Sequence, residues 1–303
     1  MQIENTLFVG NGFSKSLFND VPSWNGLFEG AHSSIKNNTF LYELHRLQKP
    51  EIEEAVVKEQ LIEKLMSPYS EENLNNQVRD LDDFGAYLKR YTINNIITTN
   101  YDTGVEFVLS RCGYVEQKKS GVSAERVYSI RTYKVFYDEE ANHTIKLWKI
   151  HGDISRIPSI TLGFDQYCGS LAKLTQYIKG QYESTNKKVQ CKKHMKDKCN
   201  DNDFDGISWA ELFFNSNVYI VGFGMDFSEI DIWWLINKRV RYKREGIRIN
   251  NTITYLFNPD HDRDCEKTPI YAALDSFDVI LKSIQTSELY FNELFSAMQE
   301  QPH

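Results

Sequence analysis

The chain has 303 residues and a formal net charge of −7; 41% of its residues are hydrophobic and 25% are charged. This length is enough for one large α/β domain with a sizeable core. The negative charge gives the protein as a whole no electrostatic reason to bind nucleic acid or anionic lipid, so we expect nucleic acid to be engaged only indirectly, through a partner. No stretch approaches the roughly 20 uninterrupted apolar residues of a membrane span, and the first residues lack the basic and apolar regions of a secretion signal. These features predict a cytoplasmic protein.

The first apolar run, Thr6–Val9, predicts a short strand that enters the glycine loop Gly10–Ser14 (GNGFS). Two glycines would let the backbone approach a phosphate closely, and a helix that starts after them would favour an anion. The pattern GxGxS lacks the third glycine of the dinucleotide fingerprint and also fits an ordinary tight turn, so it is a weak signal by itself.

Helical periodicity dominates residues 20–91. Apolar residues recur at helical spacing in Leu41–Leu47 and in Val56–Leu65, with Glu and Lys on the other faces. We interpret this region as a helical insertion that packs against a sheet.

The stretch Asn95–Asp102 (NIITTNYD) is the most informative part of the chain. Its β-branched first half predicts a buried strand. Thr99, Asn100 and Asp102 would then sit at the carboxyl end of that strand, where open α/β sheets place their ligand chemistry. The alternative is a strand followed by a helix that Asp102 or Thr103 caps. Both interpretations stay open on this segment alone.

A second junction of this kind follows the predicted strand Thr144–Ile150, which runs directly into His151, Gly152 and Asp153. A histidine at the carboxyl end of a strand, with a glycine beside it to clear space, is well placed to act as a general base. A lone histidine in this position is more often structural. His151, however, has a potential partner in Asn100, which follows an equivalent strand.

The rest of the chain alternates between strands and helices, apart from Tyr114–His143, which is either irregular or an antiparallel excursion. We predict strands at Ser159–Gly163, Asn217–Val221, Thr252–Phe257 and Phe277–Ile284, and helices at Gln166–Gly180, Glu229–Tyr242 and Ser287–Met298. The segment 222–228 contains two glycines, and Asp226 or Ser228 within it would cap the next helix.

These units predict one domain over residues 1–303, of the α/β class, with a Rossmann-like, doubly wound and mostly parallel sheet. The helical insertion occupies about residues 20–91. Residues 181–206 carry six lysines between Lys187 and Lys198, and we expect them to form a mobile basic loop.

The five cysteines are scattered and odd in number, which argues against a disulfide framework and for a reducing compartment. Cys191, His194 and Cys199 have a spacing that resembles a metal knuckle, but they lack an obvious fourth ligand. We expect no metal, and leave open whether this trio binds one.

Four motifs in chain order, GNGFS, TTNYD, IHGD and VGFGMDFSEIDIW, resemble the sirtuin superfamily. The resemblance covers roughly Asn5–Val240 and is closest to the bacterial sirtuin-like NAD hydrolases of antiphage defence systems. It implies that NAD is the substrate. It also implies that Asn100 and His151 are catalytic and that Asp102 orients the nicotinamide amide.

The resemblance further implies a set of nucleotide-binding residues. These are Gly10, Asn11, Gly12, Phe13 and Ser14 around the diphosphate, Thr99 near the nicotinamide ribose, and Gly222, Gly224, Met225 and Asp226 on the adenosine side. At Asn11 many relatives carry alanine instead, so the finer subfamily stays open.

The sequence departs from the protein-deacylating sirtuins because it contains no CxxC motif, whereas their zinc module carries paired ones. We therefore expect hydrolysis of NAD to ADP-ribose and nicotinamide, in an abortive-infection response that depletes NAD. The alternatives are a non-catalytic regulatory subunit that binds NAD or ADP-ribose, a protein deacylase, and an ADP-ribosyltransferase. A homo-oligomer or an infection-sensing partner protein would activate the enzyme.

Overall fold

The structure is a computed structural model that describes residues 3–22, 38–52, 54–66, 81–118, 130–258 and 268–284, together with positions 69, 72, 127, 128 and 296. The predicted terminal helix Ser287–Met298 lies outside the described residues, apart from position 296. No helix within the described ranges is long and apolar enough to cross a membrane.

Helices and strands alternate over most of the described chain. The α-helices are α1 (Asn11–Leu17), α2 (Asn38–Gln48), α3 (Glu54–Met66), α4 (Leu81–Arg90), α5 (Gly104–Arg111), α6 (Phe164–Ile178), α7 (Met195–Asp201), α8 (Leu212–Asn215), α9 (Ile230–Arg244) and α10 (Thr268–Ser276). The strands are β1 (Glu4–Val9), β2 (Ile93–Thr98), β3 (Val115–Glu116), β4 (Lys134–Asp138), β5 (His143–Lys149), β6 (Tyr182–Glu183), β7 (Gln190–Cys191), β8 (Ser216–Val221), β9 (Ile253–Phe257) and β10 (Ile280–Ser283).

Eight of these strands form one sheet in the order β10-β9-β8-β1-β2-β5-β4-β3. Neighbours from β10 to β5 are parallel, whereas β4 runs antiparallel to both β5 and β3. The chain builds the sheet outward from β1 in both directions, so the strand order reverses beside β1. The predicted α/β class and the Rossmann-like, doubly wound, mostly parallel sheet are confirmed. The excursion between Tyr114 and His143 supplies the antiparallel edge.

Both faces of the sheet are buried, as parallel strands require. On one face Phe8, Ile97 and Ile220 belong to a core cluster with α6, α8 and α9. On the other face Leu7 and Ile96 belong to a second cluster with α1, α4 and α5. Continuous apolar runs such as TLFV and NIIT form strands here because alternate residues fill opposite cores.

Helices α2 and α3 of the predicted insertion pack at the carboxyl edge of the sheet, whereas α4 packs on one of its faces. Leu41 of α2 and Val57 of α3 pack into a third apolar cluster, which also contains Tyr101, Ile160 and Leu162 from segments that follow β2 and β5. The insertion therefore encloses the end of the sheet at which ligand chemistry is expected.

The predicted strand Ser159–Gly163 is wrong. A single 3₁₀ turn occupies Ile157–Ser159, and β5 already has β2 and β4 as its two neighbours, so no strand position is free beside it. The segment instead folds back over the strand end: the Thr161 N–H donates to the His151 carbonyl at 2.8 Å. A β-carbon on Gly152 would lie 2.5 Å from the Ser159 carbonyl oxygen, so glycine permits this contact.

The expected mobile basic loop at residues 181–206 is also wrong, because the segment contains the β6–β7 hairpin and helix α7. Cys191, Cys199 and Lys198 are buried in it. The Lys198 ammonium lies 2.6 Å from carboxylate oxygens of both Asp205 and Glu211. Burial of an ion pair and two cysteines orders a stretch whose composition alone is typical of a solvated loop.

Candidate active site

The carboxyl ends of four neighbouring strands lie in one row. In the register of the sheet, Val9 of β1 pairs with both Thr98 of β2 and Val221 of β8, and Thr98 pairs with Lys149 of β5. The segments that follow these four residues are the two glycine loops and the two polar clusters found in the sequence. The fold therefore brings all four to the same edge.

Asn100 and His151 occupy equivalent positions on adjacent strands. Each lies two residues beyond the Thr98–Lys149 pair. The Ile150 N–H donates to the Thr98 carbonyl at 3.0 Å, which extends the ladder toward both residues. Since paired strands run about 4.8 Å apart, the two residues start from neighbouring backbone positions. Both are 2% exposed.

The Asn100 side chain is held on one side only. Its Nδ2 donates to the Ser14 hydroxyl at 3.1 Å, and its backbone N–H donates to the Thr98 hydroxyl at 3.0 Å. Its Oδ1 is buried and has no hydrogen-bond partner among the described residues. A buried amide oxygen left unpaired costs free energy, so this atom is an acceptor suited to a hydroxyl or amide donor of a ligand.

The first glycine loop packs directly against the second one. The Gly12 N–H donates to the Gly222 carbonyl at 2.7 Å. A β-carbon on Gly10 would lie 2.6 Å from the Gly222 carbonyl oxygen, and one on Gly222, where φ is +61°, would lie 2.3 Å from the Phe13 nitrogen. The predicted close approach of these glycines to a phosphate stays a prediction, and in the structure the backbone that they approach is that of the other loop.

The remaining residues of the two loops have structural contacts. Asn11 Nδ2 donates to the Pro22 carbonyl at 3.3 Å, and Phe13 is buried against Phe84. Met225 is fully buried in the core. Asp226 is exposed, and its Oδ1 accepts from the Ser228 N–H at 2.8 Å.

Helix α9, which follows the second glycine loop, has a different N-cap residue from the predicted one. The N-cap of α9 is Glu229, without a side-chain cap bond, so the prediction of Asp226 or Ser228 as the cap is wrong. Gly222 and Gly224 precede this turn, and Gly224 is exposed.

Asp102 begins the helix that follows β2. Its Oδ1 accepts from the Gly104 N–H at 2.8 Å, and helix α5 starts there, with Thr103 in the N-cap position but without a side-chain cap bond. Burial raises the pKa of Asp102, opposed by the Lys149 ammonium. Asp102 and Thr99 are both buried beside Asn100. Asp102 therefore accepts a hydrogen bond at the start of helix α5, and it also lies beside Asn100 in the candidate site.

Lys149 at the end of strand β5 binds the segment that follows β2. Its ammonium donates to the Tyr101 carbonyl at 3.0 Å and to the Asp102 carbonyl, and it pairs with Glu106 at 2.9 Å. These bonds connect the segment that carries Asn100 to the strand that carries His151. The sequence offered no signal for this role, because a lysine near the end of an alternating strand usually faces solvent.

His151 lies between two carboxylates. Its Nε2 is 3.1 Å from Asp231 Oδ2, and its Nδ1 is 3.6 Å from Glu229 Oε2. The ring meets the Tyr167 ring edge-on at 5.1 Å, and the Tyr167 hydroxyl donates to Glu229 Oε2 at 3.2 Å. Neither acid could be assigned to the site from the sequence, because both lie at the start of α9, 78 and 80 residues further along the chain.

The two carboxylates control the charge around His151. Burial acts to lower the pKa of His151, but Asp231 and Glu229 outweigh it and raise that pKa above its ordinary value. Burial raises the pKa of Glu229 to about 7, and Asp231 adds to the rise while His151 opposes it. A histidine beside a carboxyl group whose pKa is about 7 is suited to proton transfer.

The side chains that lie close enough to share an ion differ from the trio whose spacing resembles a metal knuckle. Within the described ranges, the group of His, Cys, Asp or Glu side chains close enough to share an ion is His151, Glu229 and Asp231. Cys191, His194 and Cys199 do not form such a group there. His194 Nδ1 instead accepts from the Lys196 N–H at the start of α7, and burial raises the pKa of Cys199 to about 12, which disfavours the thiolate that a metal needs.

The family model described as a SIR2-like domain matches residues 94–275, which is more than half of the chain. The chain belongs to the SIR2-like family. The matched range contains Asn100, His151 and the second glycine loop, and it begins after the first one. SIR2-like domains use NAD as a substrate, which gives the chain an NAD-related activity. A comparison with curated proteins found no match.

Proposed function

We propose that this SIR2-like domain hydrolyses NAD at the nicotinamide–ribose bond and releases ADP-ribose and nicotinamide. The main observation that supports the proposal is that Asn100 and His151 occupy equivalent positions beyond the carboxyl ends of β2 and β5. The unpaired, buried Oδ1 of Asn100 adds an acceptor that fits a ribose hydroxyl or a nucleophilic water.

The reaction needs little acid assistance, because nicotinamide leaves with the electron pair of the C–N bond and thereby neutralises its own ring charge. The chain must hold the ribose and supply a base. Asn100 would position the attacking water through Oδ1, and His151 would accept the proton that this water loses as its oxygen bonds to the ribose carbon. Asp102 would orient the nicotinamide amide.

The two glycine loops would hold the rest of the dinucleotide at the same edge. The residues proposed to contact NAD are Gly10, Asn11, Gly12, Phe13, Ser14, Thr99, Gly222, Gly224, Met225 and Asp226. Phe13 and Met225 would contribute through their backbone, because their side chains are buried in the core. Gly224 and Asp226 are exposed and could reach a ligand directly.

Hydrolysis is favoured over deacylation because the sequence has no CxxC motif with which to build the zinc module of the protein deacylases. We further propose that the activity depletes NAD in the cytoplasm during an antiphage response. Burial of Asn100 and His151 beneath the carboxyl-edge segments supports an enzyme that a partner protein or self-association activates.

Product analysis tests this proposal. The purified chain is incubated with NAD that carries a tag on the adenosine side, and nicotinamide, free ADP-ribose and labelled protein are measured. Equal amounts of nicotinamide and free ADP-ribose support hydrolysis. Label transferred to protein would instead show an ADP-ribosyltransferase. Saturable binding of NAD by the purified chain, with no NAD loss in cells that co-express it with the products of neighbouring genes, would show a regulatory subunit.

A further inference from the structure

The acid behind His151, Asp231, is fixed from three directions. Its carboxylate is fully buried. Oδ2 lies 3.1 Å from His151 Nε2 and accepts from the Ser170 hydroxyl of α6 at 3.4 Å. Oδ1 accepts from the Ile232 N–H at 2.9 Å. Asp231 therefore has a defined orientation before any ligand binds.

This orientation determines which nitrogen of His151 carries the proton. A carboxylate offers only acceptors, so Nε2 must carry the hydrogen that it donates to Asp231. In the neutral ring Nδ1 is then the basic nitrogen. Nδ1 faces Glu229, whose side chain is 14% exposed, so the basic nitrogen lies on the less buried side of the ring.

We propose that Asp231 is a positioning residue that fixes the Nε2–H tautomer of His151 and so presents Nδ1 as the base. The catalytic part of this inference rests on the proposed hydrolysis of NAD, whereas the tautomer does not. Asp231 acts through the imidazole and needs no contact with the substrate.

The substitution Asp231→Asn tests this mechanism because the asparagine side chain has the same shape as that of aspartate. The Ile232 N–H requires an oxygen at the position of Oδ1, so the amide NH2 takes the place of Oδ2 and points at Nε2. Nε2 must then accept, and the proton moves to Nδ1. The variant therefore places a donor where the base was, while keeping the packing.

Charged and titratable groups face His151 from each element packed around it. Asp231 and Glu229 belong to the start of α9, Tyr167 to α6, and Tyr101 to the segment after β2. Asn at position 231 removes one of the two carboxylates that raise the pKa of His151. The midpoint of His151 titration should thus move to lower pH in Asp231→Asn.

The experiment is nitrogen NMR of protein with ¹⁵N-labelled histidine, in which the His151 signals are identified by their loss in His151→Gln. Above the titration midpoint, we expect the Nε2–H tautomer in the wild type and the Nδ1–H tautomer in Asp231→Asn. Turnover of NAD should fall roughly 100- to 10,000-fold in Asp231→Asn, with KM changed much less than kcat.

Ser170→Ala is the matched control, because it removes one hydrogen bond to Asp231 and leaves the carboxylate in place. We expect it to keep the wild-type tautomer. A purely structural Asp231 would lower the melting temperature in Asp231→Asn without changing the tautomer or the titration midpoint, and that result overturns the proposal.

The outcomes separate this inference from the proposed function. Wild-type protein that has the Nε2–H tautomer, but transfers the ADP-ribose label to protein instead of releasing free ADP-ribose, contradicts the hydrolase while leaving the positioning role intact. A wild-type ring with Nδ1–H overturns the positioning role whatever the activity, and this measurement does not depend on whether Asp231→Asn folds.

Discussion

Asn100 and His151 lie level with each other, each two residues beyond the paired positions Thr98 and Lys149 at the carboxyl ends of neighbouring parallel strands. The two residues are 51 positions apart in the chain, yet a register fixed by buried apolar residues sets their relation. Because a one-residue slip would exchange the two faces of β2, the core of the sheet also determines the geometry of the candidate site.

The unpaired oxygen of Asn100 leads to a prediction about activity without a large stability cost. Asn100→Ala removes one hydrogen bond, to Ser14, which contributes about 1 kcal/mol, and it also removes the unpaired acceptor. We expect nicotinamide release to fall by at least about 100-fold with a small change in melting temperature.

Asn215→Ala is the matched control, because Asn215 Oδ1 is also buried with no partner in the described part of the chain, but Asn215 precedes β8 at the opposite edge of the sheet. We expect it to retain activity. Loss of activity in Asn215→Ala to the same degree would show that the effect comes from general destabilisation.

Lys149 should affect catalysis through the turn that it holds. Lys149→Met removes the bonds to the carbonyls of Tyr101 and Asp102, and we expect a loss of roughly 10- to 100-fold in kcat/KM. Lys134→Met separates this effect from loss of charge, because Lys134 also pairs with Glu106 and Asp153 but lies on β4. Equal losses in the two variants would contradict the role assigned to Lys149.

The pKa of Glu229 predicts how stability depends on pH. It is about 7 in the folded protein against an ordinary value of 4.5, so between these values the folded state binds more protons than the unfolded state. The contribution of Glu229 to the free energy of unfolding therefore falls as pH rises through this range. Relative to the wild type, Glu229→Gln should gain about 1–3 kcal/mol of stability between about pH 5 and about pH 8, as measured by urea unfolding.

Asp153→Asn provides a comparison of opposite sign. Burial would raise the pKa of Asp153, but Lys149 and Lys134 outweigh it and lower that pKa to about 2. Its stabilising contribution is present above the ordinary pKa of an aspartate and is lost as pH falls toward 2, so Asp153→Asn should be least stable relative to the wild type near neutrality. A pH-independent difference for either variant would contradict the assigned charges.

Because the two glycine loops are in contact, alanine at Gly222 should destabilise the protein more than alanine at Gly206, where the backbone conformation is similar. Gly222 and Gly206 have φ values of +61° and +63°. A β-carbon at Gly222 would meet neighbouring backbone, whereas one at Gly206 would have no atom of the described residues within 4 Å. Gly206→Ala should cost about 1–2 kcal/mol for the left-handed conformation alone. Gly222→Ala should cost several kcal/mol more, because the Phe13 nitrogen would have to move. Equal costs in denaturant unfolding would exclude the close contact.

The sequence predicted the parts of the fold that depend on local pattern. The strands around Ile96 and Ile220 follow from β-branched apolar runs bounded by polar or glycine segments, and the predicted helix at residues 166–180 follows from its period. Placement of ligand chemistry after these strands needed only the rule for parallel sheets.

Contacts between distant segments could not be read from the sequence. Asp231 and Glu229 resemble ordinary acids at the start of a helix, and only the packing of α9 against α6 brings them to His151. The prediction of a mobile loop at residues 181–206 was wrong because this segment contains the buried Lys198. The burial of Lys198 depends on its ion pair with Glu211, which lies outside the segment. The predicted strand Ser159–Gly163 was wrong because a strand must also pair with a neighbouring strand, and β5 is already paired with β2 and β4.

Nicotinamide release by His151→Ala, compared with that by His143→Gln, separates a catalytic role of His151 from a structural one. Both histidines flank the same strand: His143 begins β5, and His151 follows its carboxyl end. Under conditions in which the wild type converts NAD to nicotinamide and ADP-ribose, we predict that His143→Gln retains this activity and that His151→Ala loses at least about 99% of it. Release of nicotinamide by folded His151→Ala at the wild-type rate would exclude His151 as the catalytic base.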